Sequence, residues 1–277
     1  MAINAVNPLF KHFRQPSVYV KLPSRGKFWP KNTLEIPANE ELPIYPMTIK
    51  DEVLIKTPDA LMNGSGVADV IHSCCPNIKD AWALPTIDLD TLLIAIRIAS
   101  YGAFMDVDTN CPHCNEENTH PVDLRVLMDE VKIPNFDPID IGDLRFHFKP
   151  LTFKALNSNN LIAYEQQKLI DAITNSELTE EEKTKQFNLM FPKLTDMNIM
   201  ALVNCIEAIE VGPDYVTDIN HIKEFVSNCE RSVYKAIKEQ VDTIVNTSKL
   251  PPVSMQCNEC EEKYSTDILF EQSNFFE

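Results

Sequence analysis

Cys111-Pro112-His113-Cys114 and Cys257-Asn258-Glu259-Cys260 decide how this chain of 277 residues is organised. Each pair has the C-x2-C spacing that lets two thiolates from one tight turn grip the same cation. Two such turns supply four soft sulfur ligands with tetrahedral geometry and no open position, the donor set of a structural zinc site. The expected ligands are Cys111, Cys114, Cys257 and Cys260, and the expected cofactor is Zn2+. Residues 115–256 lie between the pairs, so one shared metal closes a very long loop. A structural zinc contributes on the order of 10 kcal/mol to folding, enough to hold the base of such a loop. His113 and His120 could substitute as ligands, although four sulfurs need no fifth.

Cys111-Pro112-His113-Cys114 has a rival reading as the motif of strongly oxidising thioredoxin-fold enzymes. A thiol-disulfide oxidoreductase using Cys111 and Cys114 stabilises its first thiolate at a helix N-terminus. That requires an apolar strand before the motif and an amphipathic helix beginning at it. The approach here is Asp106-Val107-Asp108-Thr109-Asn110 and the exit Asn115-Glu116-Glu117-Asn118-Thr119, both polar, with Pro121 soon after. The acids also raise a thiol pKa in the absence of metal. Both pairs lead instead into strand-like sequence, Val122-Asp123-Leu124 and Asp267-Ile268-Leu269. Each looks like a metal knuckle followed by one strand, and two such units side by side make a zinc ribbon. Nearby backbone N–H groups and Lys263 are expected to offset the negative charge of four thiolates. No His-x-Glu, His-Glu-x-x-His or Gly-x-Ser-x-Gly occurs, so no enzyme is expected.

Charge narrows the partners. Twenty-five Lys and Arg against 41 Asp and Glu give a net charge of −16, which repels phosphate backbones and argues against nucleic acid. The acidity also disfavours a third reading, a zinc-ribbon adaptor in transcription. The apolar run Leu92–Ile96 meets Arg97 at once, far short of the roughly 18 residues of a bilayer span, so no membrane segment is expected. Met1 to Pro8 shows no charged region followed by an apolar one, which predicts synthesis in a cytoplasm. Cysteines there are free, buried or metal-bound rather than paired as disulfides. Cys74, Cys75, Cys205 and Cys229 lack spacing partners and are expected to be buried small hydrophobes.

Along the chain, residues 1–17 form an extended arm, and Val18 to Leu22 alternate as a short strand before a turn at Pro23-Ser24-Arg25-Gly26. Thr48 and Asp51 form a capping box for a helix that stops by Pro58. Asn63-Gly64-Ser65-Gly66 is a loop before a short helix at 67–73, since no strand precedes it and no Gly-Lys-Ser/Thr follows. Asp88 is expected to cap a helix ending at Tyr101-Gly102. A β-hairpin turns at Gly142-Asp143. Residues 152–246 are expected to be mostly helical, one helix running from Asp196 through Ile206 and Ile209 to Val211-Gly212-Pro213. Tyr45-Pro46-Met47-Thr48-Ile49-Lys50 echoes Lys149-Pro150-Leu151-Thr152-Phe153-Lys154, each at a strand-to-helix junction where Pro ends the strand and Thr caps the helix. The match is too short to establish a repeat.

Tyr19-Val20-Lys21-Leu22-Pro23-Ser24-Arg25-Gly26-Lys27-Phe28-Trp29-Pro30 resembles the Leu-Pro-Ser-(Lys/Arg)-Gly-x-(Phe/Tyr) opening of small baseplate hub and hub-assembly proteins of T-even-type contractile-tailed phages. The junction Pro46 to Thr48 and the ending Phe270 to Phe276 are similar to the same group. The resemblance implies a non-enzymatic structural or assembly component of the baseplate hub in the virion tail. It implies other baseplate and tail proteins as partners, with homo-oligomerisation left open, and residues 1–30 and 270–277 as docking segments.

The expected fold class is α+β, mainly α: helical domains with short β-hairpins and a zinc-ribbon-like element whose two knuckles flank a helical insertion. The expected divisions are 1–47 (extended arm and short strands), 48–105 (helical) and 106–150 (first knuckle and β-hairpin). Residues 151–250 form the helical insertion, and 251–277 the second knuckle, strand and tail.

Overall fold

Val18–Val20 (β1) pairs antiparallel with Leu42–Ile44 (β2), Val18 facing Ile44 and Val20 facing Leu42. Proline-rich sequence keeps both strands short. The computed structural model describes residues 9, 12–57, 64–176 and 179–267. Residues 1–8, 10 and 11 of the expected arm, Asn63 and the expected docking tail 270–277 lie outside them, as do Ile268 and Leu269.

Thr48 caps Ile49–Ile55 (α1) through the expected capping box with Asp51. Ser65–Cys74 (α2) follows Gly64, whose φ of +73° and approach to Asn157 exclude a side chain: an added Cβ would stand 2.5 Å from Asn157 Oδ1. Thr86–Tyr101 (α3) is buried along Ile87, Leu89 and Leu92–Ile96, a run too continuous for a one-sided helix. It forms the centre of the first core, with Val20, Leu22, Leu42, Ile44, Val67 and Ile71 around it. The expectation that Asp88 caps α3 is corrected. Pro85 occupies the N-cap position, and Asp88 lies in the first turn of the helix, three residues past the cap and fully buried.

Phe104–Asn110 (β3) and Glu117–Asp123 (β4) form a hairpin that runs into Leu124–Asp129 (α4). Ile139–Ile141 (β5) and Leu144–Phe148 (β6) form the expected hairpin at Gly142-Asp143. Thr152 then caps Phe153–Thr174 (α5) by accepting from the Ala155 N–H, so both echoed junctions are Thr-capped strand-to-helix turns. Glu180–Val203 (α6) returns antiparallel to α5.

The helix expected to continue through Ile209 ends at Val203. Ile206–Val211 (β7) pairs with β6 on one side and with Asp214–Val216 (β8) on the other, giving the order β5-β6-β7-β8. Tertiary pairing overrides the helical spacing because Ile206, Ala208 and Ile209 are buried in a sheet that also buries Phe146 and Phe148. Ile219–Asn228 (α7) and Arg231–Thr247 (α8) cover that sheet with Ile222, Val226, Ile237, Val241 and Ile244, forming a second core. The segment between the knuckles is mixed α and β rather than helical, and hairpin β5–β6 packs with residues 199–244. The class is α+β.

Val253–Gln256 (β9) and Lys263–Thr266 (β10) close a last hairpin. Its Met255, Cys257 and Tyr264 return to the first core, joining Cys111 and Val122. The chain therefore leaves the first core after α4, touches it again at Phe153 and Leu156, completes the second core, and comes back. Residues 14–30 are part of this core and not a free docking arm. Arg14 donates to the Pro46 carbonyl at 2.7 Å and to the Ser73 carbonyl at 2.7 Å, and pairs with Asp51 at 3.3 Å.

Candidate metal centre

The two cysteine turns have the same backbone. Each is a six-residue connection, 111–116 between β3 and β4 and 257–262 between β9 and β10. The Cys111 N–H donates to the Glu116 carbonyl at 2.8 Å, and the Cys257 N–H to the Glu262 carbonyl at 3.0 Å. Four residues into each turn, Asn115 and Glu261 donate back to the Cys111 and Cys257 carbonyls, at 2.8 and 3.2 Å. Both returning residues are left-handed, with φ of +62° and +58°. That conformation directs the two cysteines of a turn to one side of the hairpin tip. Each knuckle thus has a strand before it as well as one after it, that of the second turn being Lys263–Thr266, ahead of the expected Asp267-Ile268-Leu269.

The tips meet. Cys111 Sγ lies 3.7 Å from Cys260 Sγ, and Cys114 Sγ 3.5 Å from Cys257 Sγ. All four sulfurs fall within 4.8 Å of one another, and together they could hold a metal ion. Zn–S bonds of about 2.3 Å place tetrahedral sulfurs about 3.8 Å apart, so the cluster has the dimensions such a cation needs. His113 and His120 are not in the cluster. The His113 N–H points at Cys111 Sγ at 3.4 Å, while His120 Nε2 lies 3.5 Å from Tyr264 Oη.

The local field favours thiolate at Cys257. At Cys260 of the same turn the Glu262 backbone N–H pulls downward, but burial and the Cys257 and Cys111 sulfurs outweigh it and hold the thiol above its ordinary value. Backbone N–H groups of Cys260 and Glu259, with Cys114 and the Asn118 amide, outweigh burial and bring the Cys257 thiol down to about 6. At Cys114 the Glu116 N–H pulls downward, but desolvation and the three neighbouring sulfurs push the thiol up to about 12. Four sulfurs this close cannot all ionise without a cation between them. Cys74, Cys75 and Cys205 form a contrast. Burial drives them up to about 12, 11 and 12, and they sit in the cores as small hydrophobes.

Asn118 is the residue that sequence reasoning missed. It is buried between the turns, donates Nδ2 to the Glu116 carbonyl at 2.9 Å and to Cys257 Sγ at 3.5 Å, and accepts the Asn258 N–H at 2.8 Å. One side chain therefore ties both knuckles together and neutralises sulfur charge, the role expected of Lys263. Lys263 itself is exposed on β10. The available signal was strand phase: Asn118 shares the inward face of β4 with Val122, where a polar side chain needs a partner. Below the sulfurs, Thr109 Oγ1 and Tyr264 Oη lie 2.6 Å apart and join β3 to β10.

The thioredoxin-type geometry is not formed. Cys111 stands in a turn returning into β4, with no helix N-terminus at the motif to stabilise a thiolate.

The Leu22–Pro30 stretch has its own anchor. Ser24 donates its N–H to Asp88 Oδ1 at 2.8 Å and its hydroxyl to Oδ2 at 2.5 Å, and Trp29 Nε1–H reaches Oδ2 at 2.8 Å. Gly26 adopts φ +79°, a left-handed conformation that strains residues with a side chain, and an added Cβ would also press on Ile36 Cδ1. The chain matches the family described as T4 bacteriophage base plate protein over residues 17–277. It belongs to that family. The base plate match begins one residue before β1 and includes both cysteine turns and the Asp88 anchor. No curated protein and no solved structure matches the chain. Membership supports a structural role in the phage tail baseplate and implies contacts with other baseplate or tail proteins. Among the described residues, no helix is long and apolar enough to cross a membrane.

Proposed function

We propose that this base plate family member is a non-enzymatic component of the hub region of a contractile phage tail, structural or assembly-directing, synthesised in the host cytoplasm. Its Cys111, Cys114, Cys257 and Cys260 bind one structural Zn2+. The observation that carries the role is the family match over residues 17–277. The metal reading is supported by four converging sulfurs, a donor set that leaves no position for substrate or water. In this reading the two hairpins form a zinc-ribbon-like clasp. Zinc would neutralise the thiolates and lock the return of the chain to its first core. The division into five segments, with the hairpin β5–β6 moved to the inserted part, follows that clasp.

Two measurements test this. Phage lacking the chain should yield no complete baseplates, with assembly restored by the wild-type protein; normal contractile tails without it would sink the role. Purified protein should carry one zinc per chain and lose it in Cys257→Ser. Insulin reduction that depends on Cys111 but not on Cys257 would return the pair to redox chemistry.

A further inference from the structure

Residues 1–34 hold six Lys and Arg and no Asp or Glu, so they carry +6 while the rest of the chain carries −22. Of the six cations, Arg14 is taken up by Asp51. Lys21, Arg25, Lys27 and Lys31 are exposed, and none of them pairs with a carboxylate among the described residues. The first acid of the chain, Glu35, is itself held by Lys79 at 3.1 Å.

The loop that carries these four cations is folded by tight turns. The Arg25 N–H donates to the Leu22 carbonyl, Lys27 to Ser24, Trp29 to Gly26 and Thr33 to Pro30, at 2.9–3.4 Å. Each turn keeps its first and last Cα within about 7 Å, so the cations belong to one compact loop. Lys21 and Arg25 line the same small cleft, together with Ile36 and Glu40. Lys27 Nζ lies 5.0 Å from the centre of the Phe28 ring. The backbone is strained. Among the described residues, six non-glycine residues are left-handed, and four of them, Arg25, Phe28, Asn32 and Glu40, fall in this region. Such strain persists only where the surroundings over-determine it, and it gathers at binding surfaces. Here the Ser24 and Trp29 donors to buried Asp88 supply the hold.

We propose that Lys21, Arg25, Lys27 and Lys31 form a docking surface for an acidic patch on a different baseplate protein. The proposal rests on the base plate reading, which supplies the class of neighbour. Charge selects among the occupants. Cations without an internal carboxylate keep their charge for an external one, and complementary charge steers encounter and fixes register. A nucleic-acid backbone runs on past so compact a loop, over a body of −22 that repels its phosphates. A second copy carries −16 as a whole and is repelled likewise. A protein partner can present its carboxylates over the loop alone. Ile36, 43% exposed and beside Gly26, offers such a partner an apolar contact among the charges.

Complementation and zero-length cross-linking test it. In phage lacking the chain, the variant Lys21→Gln, Arg25→Gln, Lys27→Gln, Lys31→Gln should restore at least tenfold fewer baseplates than the wild type. Its urea midpoint and circular dichroism should match the wild type, because all four side chains are exposed and unpaired with acids. A carbodiimide, which joins amines directly to touching carboxylates, should link Lys21, Lys27 or Lys31 to Asp or Glu of another protein in baseplates and their assembly intermediates. A wild-type chain that restores no baseplates overturns the base plate reading and this proposal with it. A variant that restores them as well as the wild type overturns the proposal alone. Links confined to a second copy, or none to any carboxylate of another protein, also overturn it.

Discussion

Trp29 donates its indole N–H to Asp88 at 2.8 Å across 59 residues of sequence, fixing the Leu22–Pro30 loop onto a helix buried along most of its length. Ser24 adds two more donors to the same carboxylate. Asp88→Ala strands three donors in a buried site, and each costs about 1–3 kcal/mol when left unsatisfied. The expected loss is therefore at least about 3 kcal/mol of stability, read as a lower urea midpoint. Trp29→Phe, which removes one donor and keeps the ring, should lose less. Equal midpoints for Asp88→Ala and an exposed control would mean that the loop is held by something else.

Asp90 gives a pH dependence. Burial alone raises its carboxyl to about 6. A carboxyl raised in the folded state contributes stability that is complete below its unfolded value near 4 and is lost as pH rises through 6. Asp90→Asn removes that loss. The variant should match the wild type at pH 4 and exceed it at pH 8, by up to about 3 kcal/mol at 1.4 kcal/mol per unit. Chemical denaturation at the two pH values checks this, and a difference that does not change with pH would sink it.

Local signals located the features that local chemistry decides. The two Thr caps, the hairpin at Gly142-Asp143 and the four cysteines are each fixed by residues within a turn of one another. Features decided by distant partners were misread or overlooked. Ile199, Leu202, Ile206 and Ile209 are spaced for a helix, yet Ile206–Val211 is a strand because β6 offers it a ladder and an apolar face. Asp88 is a residue type that caps helices, and only the Ser24 and Trp29 donors explain why it is buried three residues past the cap. Asn118 looks like an ordinary polar residue of an exposed hairpin until the second knuckle arrives from 140 residues away.

Asn118 should also set metal affinity. It donates to Cys257 Sγ and accepts from Asn258, so it both offsets sulfur charge and positions the second turn. Loss of a partner that orients metal ligands typically costs 10–100-fold in affinity. Asn118→Ala should therefore release zinc to a competing chelator at roughly 10–100-fold lower chelator strength. Asn118→Asp should be weaker still, because it loses the donor and adds a negative charge beside four thiolates. An Asp variant that binds as tightly as the wild type would remove Asn118 from the site.

Metal removal should act on one end of the molecule. The last hairpin joins the first core through Met255, Cys257 and Tyr264, with a small interface beyond the sulfurs. The second core rests on Phe146, Phe148, Ile222, Val226 and Ile237, none of which belongs to that interface. Stripping the metal leaves four crowded thiols, and the repulsion and desolvation among them favour separation of the tips. Hydrogen exchange after chelation should therefore quicken at Val253–Thr266 and around Asn118, while α7 and α8 keep their protection. Acid should produce the same pattern, since the ligands must be deprotonated to bind. Uniform loss of protection across both cores would show instead that the clasp holds the whole fold and that the two cores do not open separately.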